Sequence, residues 1–138
     1  MESVMQKTYL PCSDEPYMNK RQLDYFKNQL ILKKMELIRK INLNMDKVKN
    51  LKSKHADPLD RSNFLMDIDR DFRANERYSG IVEQIDNALE RIKKGNFGYC
   101  EITGNAIGLR RLKALPFTNM SIEALEEQER GYTYSLRI

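Results

Sequence analysis

The sequence is short of cysteine, histidine, glycine and proline, and each shortage closes off a class of protein. Two cysteines, Cys12 and Cys100, and one histidine, His55, lie far apart in 138 residues. Structural zinc takes four ligands, and three scattered candidates do not make a site. Two cysteines cannot scaffold a domain of this size either. Six Gly and four Pro exclude collagen-like and low-complexity chains and favour long, uninterrupted helices. No run approaches the ~20 apolar residues of a bilayer crossing, so no membrane partner is expected. The opening MESVMQKTYLPCSDEP has no apolar signal core, which indicates a cytoplasmic protein. There is no phosphate-binding glycine loop and no nucleophile–base pair, so an enzyme is not expected.

What the sequence has is charge. Lys and Arg number 24 against 20 Asp and Glu, a net +4. Residues 1–55 carry 12 basic and 6 acidic side chains, residues 56–80 carry 4 and 6, and residues 81–138 carry 8 of each. A DNA-binding domain concentrates a larger basic excess on one face, so direct DNA binding is not expected. Lys47, Lys49, Lys52 and Lys54 are taken as a solvated helix face. The acidic middle segment lies where two helical patterns meet.

The first pattern begins after Asn19, a good N-cap. Apolar residues fall at Leu23, Phe26, Leu30, Leu37, Ile41, Val48 and Leu51, a heptad-like seam. No Pro or Gly interrupts residues 17–57, so a helix is expected from about 19 to 54. Pro58 breaks it and forces Asp57 out of helical geometry. Asp60 is a natural N-cap for a second helix. That helix carries Ile68, Phe72, Asn75, Tyr78, Val82, Ile85, Leu89 and Ile92 on one stripe and ends at Gly95. Gly80 lies inside it without ending it. Two such helices joined by a short turn predict an antiparallel coiled-coil hairpin over 17–94, roughly 50 Å long.

Residues 95–131 change character. Gly95, Gly98, Gly104 and Gly108 alternate with Phe97, Tyr99, Ile102, Ile107 and Leu109. This predicts a small head of tight turns and short strands. A last helix is expected from Ser121, its N-cap, to about Gly131, with a frayed tail over 132–138. Residues 1–16 show no periodicity and are expected to be an irregular lead-in. The fold class is mainly α.

Several of these stretches resemble the DksA/TraR family. Asp57-Pro58-Leu59-Asp60-Arg61-Ser62 resembles that family's hairpin tip. Gly95-Asn96-Phe97-Gly98-Tyr99-Cys100-Glu101, followed by Ile107-Gly108-Leu109-Arg110-Arg111-Leu112-Lys113-Ala114-Leu115-Pro116, is similar to its finger. Tyr17-Met18-Asn19 with Gln22, Leu23 and Phe26 resembles the start of its first long helix. The resemblance implies a transcription factor that binds RNA polymerase rather than DNA. Members insert the hairpin into the polymerase secondary channel and change the stability of promoter complexes, usually together with the alarmone ppGpp of the stringent response. An arm that inserts singly suggests a monomer.

On that resemblance, Asp57 and Asp60 match the tip acids, and Ser62 stands where the family usually has Ala. The bland reading of both acids is turn and helix capping. Arg73 and Arg77 match basic positions on the second helix and are expected to touch polymerase, Arg77 above all. The alternative for both is local pairing with Asp69 or Asp71. The four zinc positions of the family's finger read Cys100, Thr103, Ser121 and Ala124. Only one is a thiol, so a metal-free head held by packing is expected. Phe97, Tyr99, Ile102, Ile107, Leu109, Leu112, Phe117, Met120, Ile122 and Leu125 are its candidate core. Nothing in the sequence near Cys100 marks its thiol as acidic. The positions of the family's basic trio for ppGpp read Gln84, Leu115 and Leu125, which predicts weakened ppGpp synergy. Gre-like transcript cleavage, simple competition for the channel and a non-transcriptional coiled-coil adaptor are the rival readings.

Overall fold

The computed structural model describes residues 9–49 and 58–137. Four helices follow in chain order: α1 Lys20–Lys49, α2 Pro58–Lys94, α3 Leu109–Ala114 and α4 Ile122–Arg137. By contacts the chain divides into two units. One holds residues 1–30 and 85–138, and the other holds residues 31–84.

The helix ends follow their local chemistry. The Gln22 amide donates to Asn19 Oδ1 at 2.8 Å, the N-cap bond expected of Asn19. Gln22 itself is fully buried, and its Oε1 accepts the Met18 amide at 2.8 Å. Thus cap and helix satisfy each other's orphan groups. Gly95 closes α2 at φ 82°, where the Asn96 amide bonds back to Arg91 O at 2.9 Å. Ser121 caps α4, its Oγ accepting the Ala124 amide at 3.2 Å.

Three expectations about the elements need correction. Helix α2 begins at Pro58, so Asp60 sits in its first turn rather than capping it. Proline suits a first helical position because its missing N–H would be unpaired there anyway. Helix α4 runs through Gly131 to Arg137 rather than ending near 131. An added Cβ at Gly131 would meet nothing, and a solvated helical glycine costs only ~1 kcal/mol. Within the described residues the head has no strands, only an isolated bridge between Tyr99 and Ala106. Gly98, Gly104 and Gly108 all take positive φ, and turns that close together leave no length for a ladder. Helix α3 was not foreseen. The expected extension of α1 to 54, with Leu51, and His55 beyond it lie outside the described residues.

In the first unit, Phe26, Leu30, Ile85, Ala88, Phe97, Ile107 and Leu112 are buried. The rings of Phe26 and Phe97 lie 5.7 Å apart and join the start of α1 to the head. Three members of the expected head core are instead exposed: Tyr99, Ile102 and Ile122. The turns point them outward, and Cys100, Ser121 and Ala124 fill the interior.

In the second unit, α1 and α2 run antiparallel, and Leu37 is its buried hydrophobic among the described residues. Ile41 and Ile68 are half-buried, whereas Val48, at 44%, and Phe72, at 63%, are exposed. Two helices cover only a narrow stripe between them, so the flanks of each seam stay open. No helix among the described residues is long and apolar enough to cross a membrane.

Candidate functional site on the outer face of α2 and the finger positions of the head

The outer face of α2 is built by helical periodicity alone. Ser62, Met66, Asp69, Arg73 and Arg77 step by 4, 3, 4 and 4 residues, which aligns them along one face. With Leu65 and Arg70 they line a shallow surface groove. Ser62, Arg73 and Arg77, proposed separately from the sequence, therefore share one surface. Met66 and Leu65 are 69% and 57% exposed and give it an apolar edge.

The basic groups differ in availability. Arg73 Nη2 lies 3.0 Å from Asp69 Oδ2, and Arg70 Nη2 lies 3.3 Å from Asp67 Oδ1. Both pairs are largely solvated and contribute little. An incoming carboxylate can displace either partner. Arg77 makes no ion pair among the described residues. Of the two acids expected at the tip, Asp57 lies outside the described residues, and Asp60 is placed only by the backbone of α2. Gln84 is exposed on α2. Leu115 is 40% exposed, and Leu125 is half-buried in α4.

The second constellation is in the head. Cys100 and Ser121 are each 3% exposed and Ala124 is 4% exposed, while Thr103 lies at the surface. The Cys100 sulfur accepts hydrogen bonds from the Ser121 amide, the Thr103 hydroxyl and amide, and the Ile102 amide. Burial pushes its pKa up, but these donors outweigh burial and bring it down to about 6. Nothing in the neighbouring sequence signals this shift. Three of the donors are backbone amides, aimed at the sulfur by the turn and by the start of α4.

This donor set does not fit zinc. Ala124 offers no ligand atom. The Ser121 hydroxyl accepts the Ala124 amide as a helix cap, and Thr103 Oγ1 accepts the Asn105 amide at 3.3 Å. One thiol surrounded by hydrogen-bond donors cannot complete a tetrahedral thiolate site. What would be metal–sulfur bonds are here sulfur–hydrogen bonds.

Sequence reasoning missed Arg91. It is 8% exposed at the end of α2, and its guanidinium donates to the carbonyls of Tyr99 and, at 3.3 Å, Asn96. Its Nε lies 3.6 Å from Glu101 Oε1, and Asn119 Nδ2 donates to Glu101 Oε2 at 2.8 Å. An arginine beside two lysines at a helix end looks like solvated charge. Only the return of the turn over α2 buries it.

Antiparallel helices in one unit and, in the other, a finger-like head with one remaining thiol define a helical-hairpin protein with a degenerate finger. Residues 22–92 match the model of the DnaK suppressor protein DksA, N-terminal domain. Residues 95–130 match that of the prokaryotic dksA/traR C4-type zinc finger. The chain belongs to the DksA/TraR family. It is 41% identical over 127 residues to the RNA polymerase-binding transcription factor DksA of Caulobacter vibrioides, covering 92% of this chain and 89% of that one. It is 28% identical to the protein of the same name from Escherichia coli strain K12, covering 79% and 72%. The structure of the transcription factor DksA2 from Pseudomonas aeruginosa is similar with a TM-score of 0.77 and 30% identity, covering 96% of this chain and 99% of that one.

Proposed function

We propose that this chain regulates transcription by binding RNA polymerase, with the hairpin end of the second unit reaching towards the active centre through the secondary channel. Its likeness over nine-tenths of the chain to a relative named as an RNA polymerase-binding transcription factor carries this reading. The outer face of α2 supplies the chemistry. Arg77, free of local ion pairs among the described residues, is available to a carboxylate of the polymerase. Arg73 can exchange Asp69 for a partner at little cost. Leu65 and Met66 add apolar contact beside the charges.

Asp57 and Asp60 then act as the tip acids, meeting basic side chains or metal-bound water near the catalytic centre. Ser62 adds a hydroxyl at that end. The protein works by binding, without catalysis, DNA contact or zinc, as a monomer in the cytoplasm where polymerase acts. ppGpp synergy is weak because Gln84, Leu115 and Leu125 cannot pair with pyrophosphates as Lys or Arg would.

The test is in vitro transcription from a ribosomal-RNA-type promoter with the cognate polymerase, with and without ppGpp. Inhibition by the wild type and its loss in Asp57→Asn/Asp60→Asn support the reading. Equal inhibition by both proteins removes the tip from the mechanism. Absence of polymerase binding turns the reading to a coiled-coil adaptor.

A further inference from the structure

The seam of the hairpin contains a polar layer. Every seventh residue of α1 from Leu23 reads Leu23, Leu30, Leu37 and Asn44, and the ladder on α2 reads Ile68, Asn75, Val82 and Leu89. The two asparagines meet. Asn44 Nδ2 donates to Asn75 Oδ1 at 2.9 Å, and Asn75 Nδ2 reaches the Ile41 carbonyl at 3.5 Å. Both side chains are half-buried. Two further pairs keep the same register. Lys40 Nζ stands 5.6 Å from the centroid of the Tyr78 ring, and Lys47 Nζ lies 3.7 Å from Asp71 Oδ2. All three pairs share a midpoint at residues 59–60 of the chain.

An apolar heptad ladder is degenerate, because sliding one helix by seven residues restores equivalent contacts. Loop-closure entropy changes slowly with loop length, so the connecting turn selects only weakly among such registers. The contacts of Phe26 with Phe97 and of Tyr17 with Gly98 oppose a slip in the first unit, and the asparagines remove the degeneracy that the ladder leaves in the second. A slip in one direction sets Asn44 against Ile68 and Asn75 against Leu37. A slip in the other sets Asn44 against Val82. Either leaves part-buried amides facing aliphatic side chains without a partner. The flanking pairs discriminate little, since the Lys47 side chain is 65% exposed.

We propose that Asn44 and Asn75 are positioning residues that lock the register of the hairpin and so decide which residues stand at its end. A slip of one heptad moves the midpoint of the pairing to residue 56 or 63, a shift of about 5 Å along the axis. Asp60 and Ser62 would move with it, away from the place that the polymerase reading requires of them. The functional consequence rests on that reading, whereas the register itself does not.

The test is nuclear Overhauser spectroscopy on the full chain. Wild type is expected to give one set of cross-peaks from the Tyr78 ring, to Lys40. Asn44→Leu/Asn75→Val is expected to add a second set, to Lys33 or Lys47, at about a tenth or more of the intensity. Moving the polar layer one heptad, as Leu37→Asn/Asn44→Leu/Asn75→Val/Val82→Asn, keeps the facing pair in the wild-type register and should restore a single set. The proposal is overturned if the filled variant shows only the Lys40 contact, or if the moved layer still gives a mixture. It is also overturned if the filled variant does not fold, since the amides would then supply stability rather than selectivity. In transcription, the filled variant should need about fivefold more protein for half-inhibition, and the moved layer should recover it. A wild type that does not inhibit defeats the polymerase reading and leaves the register result standing.

Discussion

The Tyr17 hydroxyl donates to the Gly98 carbonyl at 2.5 Å, joining the segment before α1 to the first turn of the head. The same oxygen accepts the Gly108 amide at 3.0 Å, and the Tyr17 ring stands edge-on to Tyr99 at 5.6 Å. Gly98 permits this approach. An added Cβ would lie 2.6 Å from Met18 Cγ, on a backbone at φ +93°. Tyr17→Phe is expected to cost about 1–2 kcal/mol in urea unfolding, because two part-buried backbone groups lose their partner. Gly98→Ala should cost more, since backbone strain adds to the clash. An alanine variant as stable as wild type would show that Met18 gives way freely.

Gly80 offers the opposite case. It lies within α2, and a Cβ there would meet nothing within 4 Å. Gly80→Ala should raise stability by about 0.5–1 kcal/mol by restricting the unfolded chain. Thermal unfolding of the two proteins, under identical buffer, checks it.

Zinc is expected to be absent from the purified protein. Elemental analysis should give well below one zinc per chain, and a chelator should leave the unfolding midpoint unchanged. One zinc per chain would require ligands other than those at the four finger positions.

The Cys100 thiol makes stability depend on pH. Hydrogen bonds hold its folded pKa at about 6, whereas an unfolded thiol titrates near 8.5. The folded state then binds fewer protons than the unfolded one between these values, so this contribution is complete above the unfolded pKa. It falls away as pH drops through about 6. Between pH 9 and 6 the wild type should lose more stability than Cys100→Ser. Parallel profiles in urea melts would mean that the sulfur stays protonated.

Arg77 and Arg73 should separate in polymerase assays. Arg77→Ala is expected to weaken inhibition about tenfold, by losing an unpaired cation from the contact. Arg73→Ala should lose less, because that side chain first gives up Asp69. Neither should change stability by more than about 0.5 kcal/mol, since both are exposed on the helix surface. Equal and small effects on binding would move the interface off this face.

Parts of the fold were legible because they depend on neighbours in sequence. The seam residues Phe26, Leu30 and Leu37 are buried as their spacing requires, and Asn19, Ser121 and Gly95 end their helices as their chemistry prescribes. Phe72 shares the same periodicity yet lies exposed, because a stripe is wider than what one facing helix covers. Asn44 interrupts the apolar ladder, and its pairing with Asn75 depends on a partner 31 residues away. The strands expected in the head failed because alternating glycines and aromatics describe successive turns as well as they describe a hairpin.

The sequence by itself determined the two long helices, the Asn19 cap of the first and the Gly95 end of the second, and the alignment of Ser62, Arg73 and Arg77 along one helix face. Each of these follows from hydrogen-bond chemistry or periodicity within a few residues. Tertiary structure alone decided that Arg91 is buried under the turn of the head, that Tyr17 bridges Gly98 and Gly108, and that hydrogen-bond donors gather around the Cys100 sulfur and lower its pKa. It also decided that Asn44 meets Asn75. Those outcomes depend on which distant segments return to one place, and there packing and desolvation set the partners rather than local propensity.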